Sequence, residues 1–102
     1  MQSPVMLITG GSRGIGAAVA RLAARKGYDV ALTYVRDAQA AAQVVNDVIG
    51  LGRRAIAIKT DVALLDDVER TFQEVDAFGQ LSALVCNCAI TGKASKLEEA
   101  DP

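Results

Sequence analysis

The chain predicts an α/β fold built on a parallel sheet, and three observations carry that expectation. Val5 to Ile8 is apolar at every position, which suits a strand buried on both faces. A glycine-rich turn follows directly, Thr9-Gly10-Gly11-Ser12-Arg13-Gly14-Ile15-Gly16, and opens into an alanine-rich helical pattern. Strand-like and helix-like stretches then alternate as βαβαβαβ. Right-handed crossovers predict the strand order 3-2-1-4, the first and incomplete part of a doubly wound sheet. The first two helices are expected on one face and the third on the other.

The first helix is expected from Gly14 to Lys26, with Ile15, Val19 and Leu22 at helical spacing and the small residues Ala18 and Ala23 beside them. Arg25 and Lys26 suit its negative end, and Gly27 is placed to stop it. Val30 to Tyr34 reads as the second strand. Asp37 is a candidate N-cap for a second helix, whose buried stripe is Ala41, Val44, Val45, Val48 and Ile49 and which Gly50 and Gly52 close. Arg54 to Lys59 is the third strand. The third helix starts near Leu65, carries Val68, Phe72 and Val75 on one face and ends at Gly79. Leu81 to Cys86 is the fourth strand, and the polar stretch from Thr91 is expected to begin another helix near Lys96.

Composition narrows the function. The 102 residues carry a net charge of −1 and are 51% hydrophobic, which disfavours disorder and offers no basic surface for nucleic acid. The chain reads as the N-terminal part of one nucleotide-binding domain, residues 1–102, with no second domain. No apolar run reaches the roughly 18 residues of a membrane span, and the first ten residues lack the pattern of a signal peptide. Histidine is absent, which removes the commonest general base and metal ligand. Cys86 and Cys88 are too few for a zinc site and are expected as buried free thiols in a reducing cytoplasm.

The glycines at 10, 14 and 16 allow a tight turn and a close approach of backbone to a phosphate at the start of the first helix. The spacing is not G-x-G-x-x-G, and no Gly-Lys-Ser/Thr closes it as in a P-loop. TGGSRGIG resembles the cofactor loop T-G-x-x-x-G-x-G of the short-chain dehydrogenases/reductases, and the similarity runs through about residues 3 to 102. The resemblance implies a Rossmann-like NAD(P)-binding fold. It also implies that Gly10, Ser12, Arg13, Gly14, Ile15 and Gly16 hold the pyrophosphate.

The end of the second strand chooses between NAD and NADP. NAD binders place an acid there for the ribose hydroxyls, about 20 residues past the glycines. Here the position is Tyr34, and Arg36 follows two residues later with a charge suited to a 2′-phosphate. With Arg13, this resembles the NADP-preferring members. Asp37 is placed either to pair with Arg36 or to cap the helix. Asp61 and Val62 match the family's adenine-binding aspartate and its neighbour, against the plain reading of Asp61 as a helix-starting residue. Asp66 and Asp67 read as an exposed acidic first turn.

At the fourth strand the family reads L-V-N-N-A-G where this chain reads Leu84-Val85-Cys86-Asn87-Cys88-Ala89. Asn87 and Ala89 fall on cofactor-binding positions, with Ala89 adding a methyl where glycine is usual. The family's chemistry uses a serine, a tyrosine and a lysine, with Tyr-x-x-x-Lys as signature. Tyr28 and Tyr34 are followed four residues on by Leu32 and Ala38, so no catalytic residue is assigned.

These expectations amount to the nucleotide-binding half of an NADP(H)-dependent oxidoreductase acting on a carbonyl or alcohol. The rival readings are a non-enzymatic dinucleotide-binding or interaction module and a truncated remnant. Leu81 to Ile90 is apolar and uncharged, so the fourth strand is expected to be an edge open to self-association or to a partner chain.

Overall fold

The computed structural model describes residues 3–12 and 14–86. Within them the elements run β1 (Pro4–Thr9), α1 (Gly14–Arg25), β2 (Asp29–Tyr34), α2 (Ala38–Gly50), β3 (Ala55–Lys59), α3 (Leu65–Phe78) and β4 (Gln80–Cys86). All strand pairs are parallel, in the order β3-β2-β1-β4. The expected topology is thus the observed one. Asn87, Cys88, Ala89 and the proposed helix near Lys96 lie outside the described residues, as does Arg13.

The sheet is central, and two apolar layers form on it. On one face Ile8, Val30 and Leu32 pack with alanines of α1 and with Ala41, Val44 and Val48 of α2. On the other, Val5, Leu7, Ala31 and Ile58 pack with Val75 of α3. The first two helices and the third therefore take opposite faces. Residues Asp29 to Thr33 are buried without a break, because β2 has a strand on each side and helices on both faces.

Four expectations about side chains are corrected. The buried stripe of α1 is Gly16, Ala17, Ala20, Ala23 and Ala24, while Ile15 is 73% and Leu22 is 52% exposed and Ala18 is also exposed. The small side chains face the sheet because they let the helix lie close on it, so volume rather than hydrophobicity chooses the face. In α2 Ile49 is exposed although it was placed in the stripe. In α3 Thr71 and Val75 are the buried pair, and Phe72 is 37% exposed. Cys86, expected as a buried thiol, is a free and exposed one. It registers against Thr9 on the α3 side of the sheet, beyond the part of that face that α3 covers.

The local stops are those the sequence signals. Gly27 ends α1 with φ +97°, and Asp37 caps α2 by accepting from Ala40 N at 2.9 Å. Gly79 follows α3 in extended backbone, and a Cβ there would meet Val5 Cγ2 at 2.7 Å.

The amino ends of β2 and β3 and the end of α3 are tied by a charge cluster. Asp29 accepts from Arg53 Nε at 3.1 Å, Arg54 N at 3.1 Å and Arg54 Nε at 3.0 Å. Arg54 also donates to Phe78 O at 2.7 Å and lies 4.3 Å over the Phe78 ring. Burial pushes the Asp29 carboxyl up, but the Arg54 hydrogen bonds and the charges of Arg53 and Arg54 outweigh it and hold the group below its ordinary value. A second pair, Arg21 with Asp47 at 2.9 Å, ties α1 to α2.

Candidate cofactor site

The carboxyl ends of parallel strands are where an open α/β sheet offers a crevice, at the point where strand order reverses. Here that point is between β1, which leads to β2, and β4 on its other side. The expected site residues within the described part follow this end: the glycine turn after β1, Arg36 after β2, Asp61 and Val62 after β3.

The turn is shaped by what sits beneath it. Gly10 and Gly14 have φ of +71° and +55°, in the left-handed region that side chains disfavour. Gly10 N donates to Thr33 Oγ1 at 3.0 Å, and Gly11 N donates to Thr33 O at 3.1 Å. β2 thus anchors the loop through one buried threonine. A Cβ on Gly11 would meet Leu32 Cβ at 2.7 Å and Ile8 Cγ2 at 3.3 Å, so the loop lies directly on the core. Sequence reasoning passed over both Gly11 and Thr33. The signal for Thr33 was a hydroxyl in an otherwise apolar run.

From this turn α1 begins at Gly14, with no acid in its first turn to offset the positive end of the helix. Gly16 is buried against the sheet, Ser12 is half-buried, and Ile15 projects outward.

A groove of about 550 Å³ opens between the ends of β2 and β3, lined by Val35, Arg36, Lys59, Thr60, Asp61, Leu64, Asp67 and Arg70. It brings Arg36 and Asp61 together; the glycine turn and Val62 are outside its lining. The Arg36 guanidinium has no hydrogen bond or ion pair among the described residues, while Asp37 is engaged as the α2 cap. Asp61 is exposed and accepts from Ala63 N at 2.9 Å, which makes it a turn-forming residue in this structure.

Asp67 is more than the exposed acid expected of it. It accepts from Asp61 N at 2.9 Å and faces Arg70 at 3.5 Å. The Asp61 N–H holds the Asp67 carboxyl below its ordinary value, with help from Arg70 and Lys59. Among the described residues no group of three or more acidic or cysteine side chains is arranged to hold a metal, and no helix is long and apolar enough to cross a membrane.

The short chain dehydrogenase family profile matches residues 4–102. The chain belongs to that family. It is 40% identical over 100 residues to a hydroxynaphthalene reductase of Aspergillus fumigatus, covering 97% of this chain and 36% of that protein. A dehydrogenase/reductase from Sinorhizobium meliloti superimposes with TM-score 0.81 at 43% identity, over 85% of this chain and 35% of that one. A blue fluorescent protein from a metagenomic library, solved in complex with NADPH, superimposes with TM-score 0.79 at 40% identity over 85% of this chain and 36% of its own. The chain thus spans about a third of the length of each of these relatives.

Proposed function

We propose that this chain forms the cofactor-binding part of an NADP(H)-dependent oxidoreductase acting on a carbonyl or alcohol. The observation that carries the reading is Arg36, two residues past Tyr34, the last residue of β2, where an acid would select NAD(H); its guanidinium has no hydrogen bond or ion pair among the described residues. The glycine turn after β1 supports it: Gly10 and Gly14 adopt backbone angles that leave no side chain between the loop and a pyrophosphate. The residues present therefore fit a dinucleotide, and the NADPH complex of a relative at 40% identity agrees with that fit.

Within this reading Gly10, Ser12, Arg13, Gly14, Ile15 and Gly16 hold the pyrophosphate, through backbone N–H groups and the positive end of α1. Arg36 supplies a charge-assisted hydrogen bond to a 2′-phosphate. Asp61 and Val62 border the adenine, Asp61 using the carboxylate oxygen that Ala63 N leaves available. Asn87 and Ala89, which come directly after β4 in the sequence, complete the cofactor-binding set. The bound dinucleotide supplies the hydride; this chain binds and orients it. The reading places the protein in the cytoplasm, where a thiol such as Cys86 stays reduced.

Titration of NADPH and NADH against the full chain, followed by cofactor fluorescence, tests the proposal. NADPH is expected to bind more tightly, and Arg36→Ala to weaken NADPH about tenfold while leaving NADH unchanged. Equal affinities would overturn the NADP preference. Binding of neither would overturn the cofactor reading itself.

A further inference from the structure

Three consecutive residues at the end of β3 are each gripped by a different residue from the first two turns of α3. Arg70 Nη2 donates to Lys59 O at 2.8 Å. The hydroxyls of Thr60 and Thr71, both buried, lie 2.6 Å apart. Asp61 N donates to Asp67 Oδ2 at 2.9 Å. Arg70 is itself steadied by Glu74 at 2.8 Å, one turn on. Thr71 Oγ1 also donates to Asp67 O at 2.8 Å, so the three grips share one framework.

The arrangement departs from ordinary helix capping. A first-turn acid usually reaches back to the amide of the N-cap residue. Here the N-cap Leu64 has no side-chain cap bond, and its own N–H is taken by Asp61 O. Asp67 reaches further, to the amide of Asp61. The effect is to fix the turn between β3 and α3 rather than the helix. Asp67 and Arg70 are both partly solvent-exposed, and exposed ion pairs add little to global stability. Their consequence is therefore local, at the wall of the groove that Arg36 also lines.

We propose that Asp67 and Arg70 are positioning residues that hold the Lys59–Asp61 turn in the conformation that receives the adenosine end of the dinucleotide. This rests on the cofactor reading above. Without the two side chains, the turn must be ordered when the nucleotide arrives, and that ordering weakens binding.

The test uses the full chain and adenosine 2′,5′-bisphosphate as probe, with amide hydrogen exchange as a readout independent of binding. In Asp67→Ala and Arg70→Ala the Asp61 amide is expected to exchange faster, while Val30 and Leu32 in the core keep their protection. Probe affinity is expected to fall about tenfold in each. Arg70→Lys, which can still donate to Lys59 O, is expected to recover part of the loss. If Asp67→Ala strips protection from the core as well, the two Arg70 variants carry the test.

A turn that does not loosen, or one that loosens with affinity unchanged, overturns the positioning role and leaves the cofactor reading intact. A wild-type chain with a protected Asp61 amide that does not bind the probe overturns the cofactor reading, and the positioning role with it.

Discussion

Asp29 is only 2% exposed, yet it is a carboxylate at the start of a central strand, answered by two arginines and one backbone N–H. Its folded-state pKa is below the unfolded value of about 3.9, so the stability it contributes is full above that value. That stability is lost as pH falls through the folded pKa. Urea denaturation of Asp29→Asn is expected to show a loss of about 1–3 kcal/mol at pH 7, shrinking as the medium is acidified below pH ~4. A constant deficit across that range would mean that the carboxylate's charge is not what holds the strand ends. Gly11 is the other decisive position. Gly11→Ala places a methyl against Leu32 and Ile8, both in the core, and is expected to cost about 1–3 kcal/mol in the same assay. Neither residue stood out in the sequence. Asp29 lies just before the expected second strand, Val30 to Tyr34, and Gly11 occupies a variable position of the T-G-x-x-x-G-x-G motif; only the packing beneath them gives each its role.

At the scale of elements, α1 separates what periodicity shows from what packing selects. The repeat of Ile15, Val19 and Leu22 is a correct sign of helix, but a misleading guide to its buried face. The alanine side wins because β1 and β2 supply the bulk on that layer, with Ile8, Val30 and Leu32, and the helix needs to come near. Ala20→Leu, at a fully buried position, is expected to cost about 1–3 kcal/mol by overpacking. Leu22→Ala, at a half-exposed position, is expected to change stability by less than about 0.5 kcal/mol. Reversed magnitudes in thermal or urea unfolding would restore the sequence-based face. α2 was more legible, since Ala41, Val44 and Val48 fall where the spacing put them, whereas of the expected α3 face only Val75 is fully buried.

For the whole molecule, the sheet has unequal cover among the described residues. Two helices pack on one face and α3 alone on the other, where Leu84 is 49% and Phe72 is 37% exposed. β4 pairs with β1 and, among the described residues, with nothing on its outer side. An apolar edge strand of this kind invites pairing with another chain. Sedimentation of the purified 102-residue chain is expected to show concentration-dependent association, reduced in Leu84→Lys. A monodisperse wild-type chain with a sharp melting transition above about 60 °C would contradict this. The same chain is expected to show no NADPH oxidation with a panel of ketones above a denatured control, because neither Tyr28 nor Tyr34 has a lysine four residues on. Turnover would reveal a catalytic site that the motif comparison misses.

The order of elements, the parallel sheet and the position of the glycine turn between β1 and α1 followed from sequence alone. Each is written in local chain chemistry: apolar runs, glycine spacing, and caps such as Asp37 and Gly27. What only the tertiary structure decided were the meetings between residues distant in the chain. Thr33 with the glycine turn, Asp29 with Arg53 and Arg54, and Asp67 with the amide of Asp61 depend on how strands and helices are brought side by side. No local pattern encodes such a contact, because its partners are chosen by packing and by the need to satisfy polar groups taken out of water.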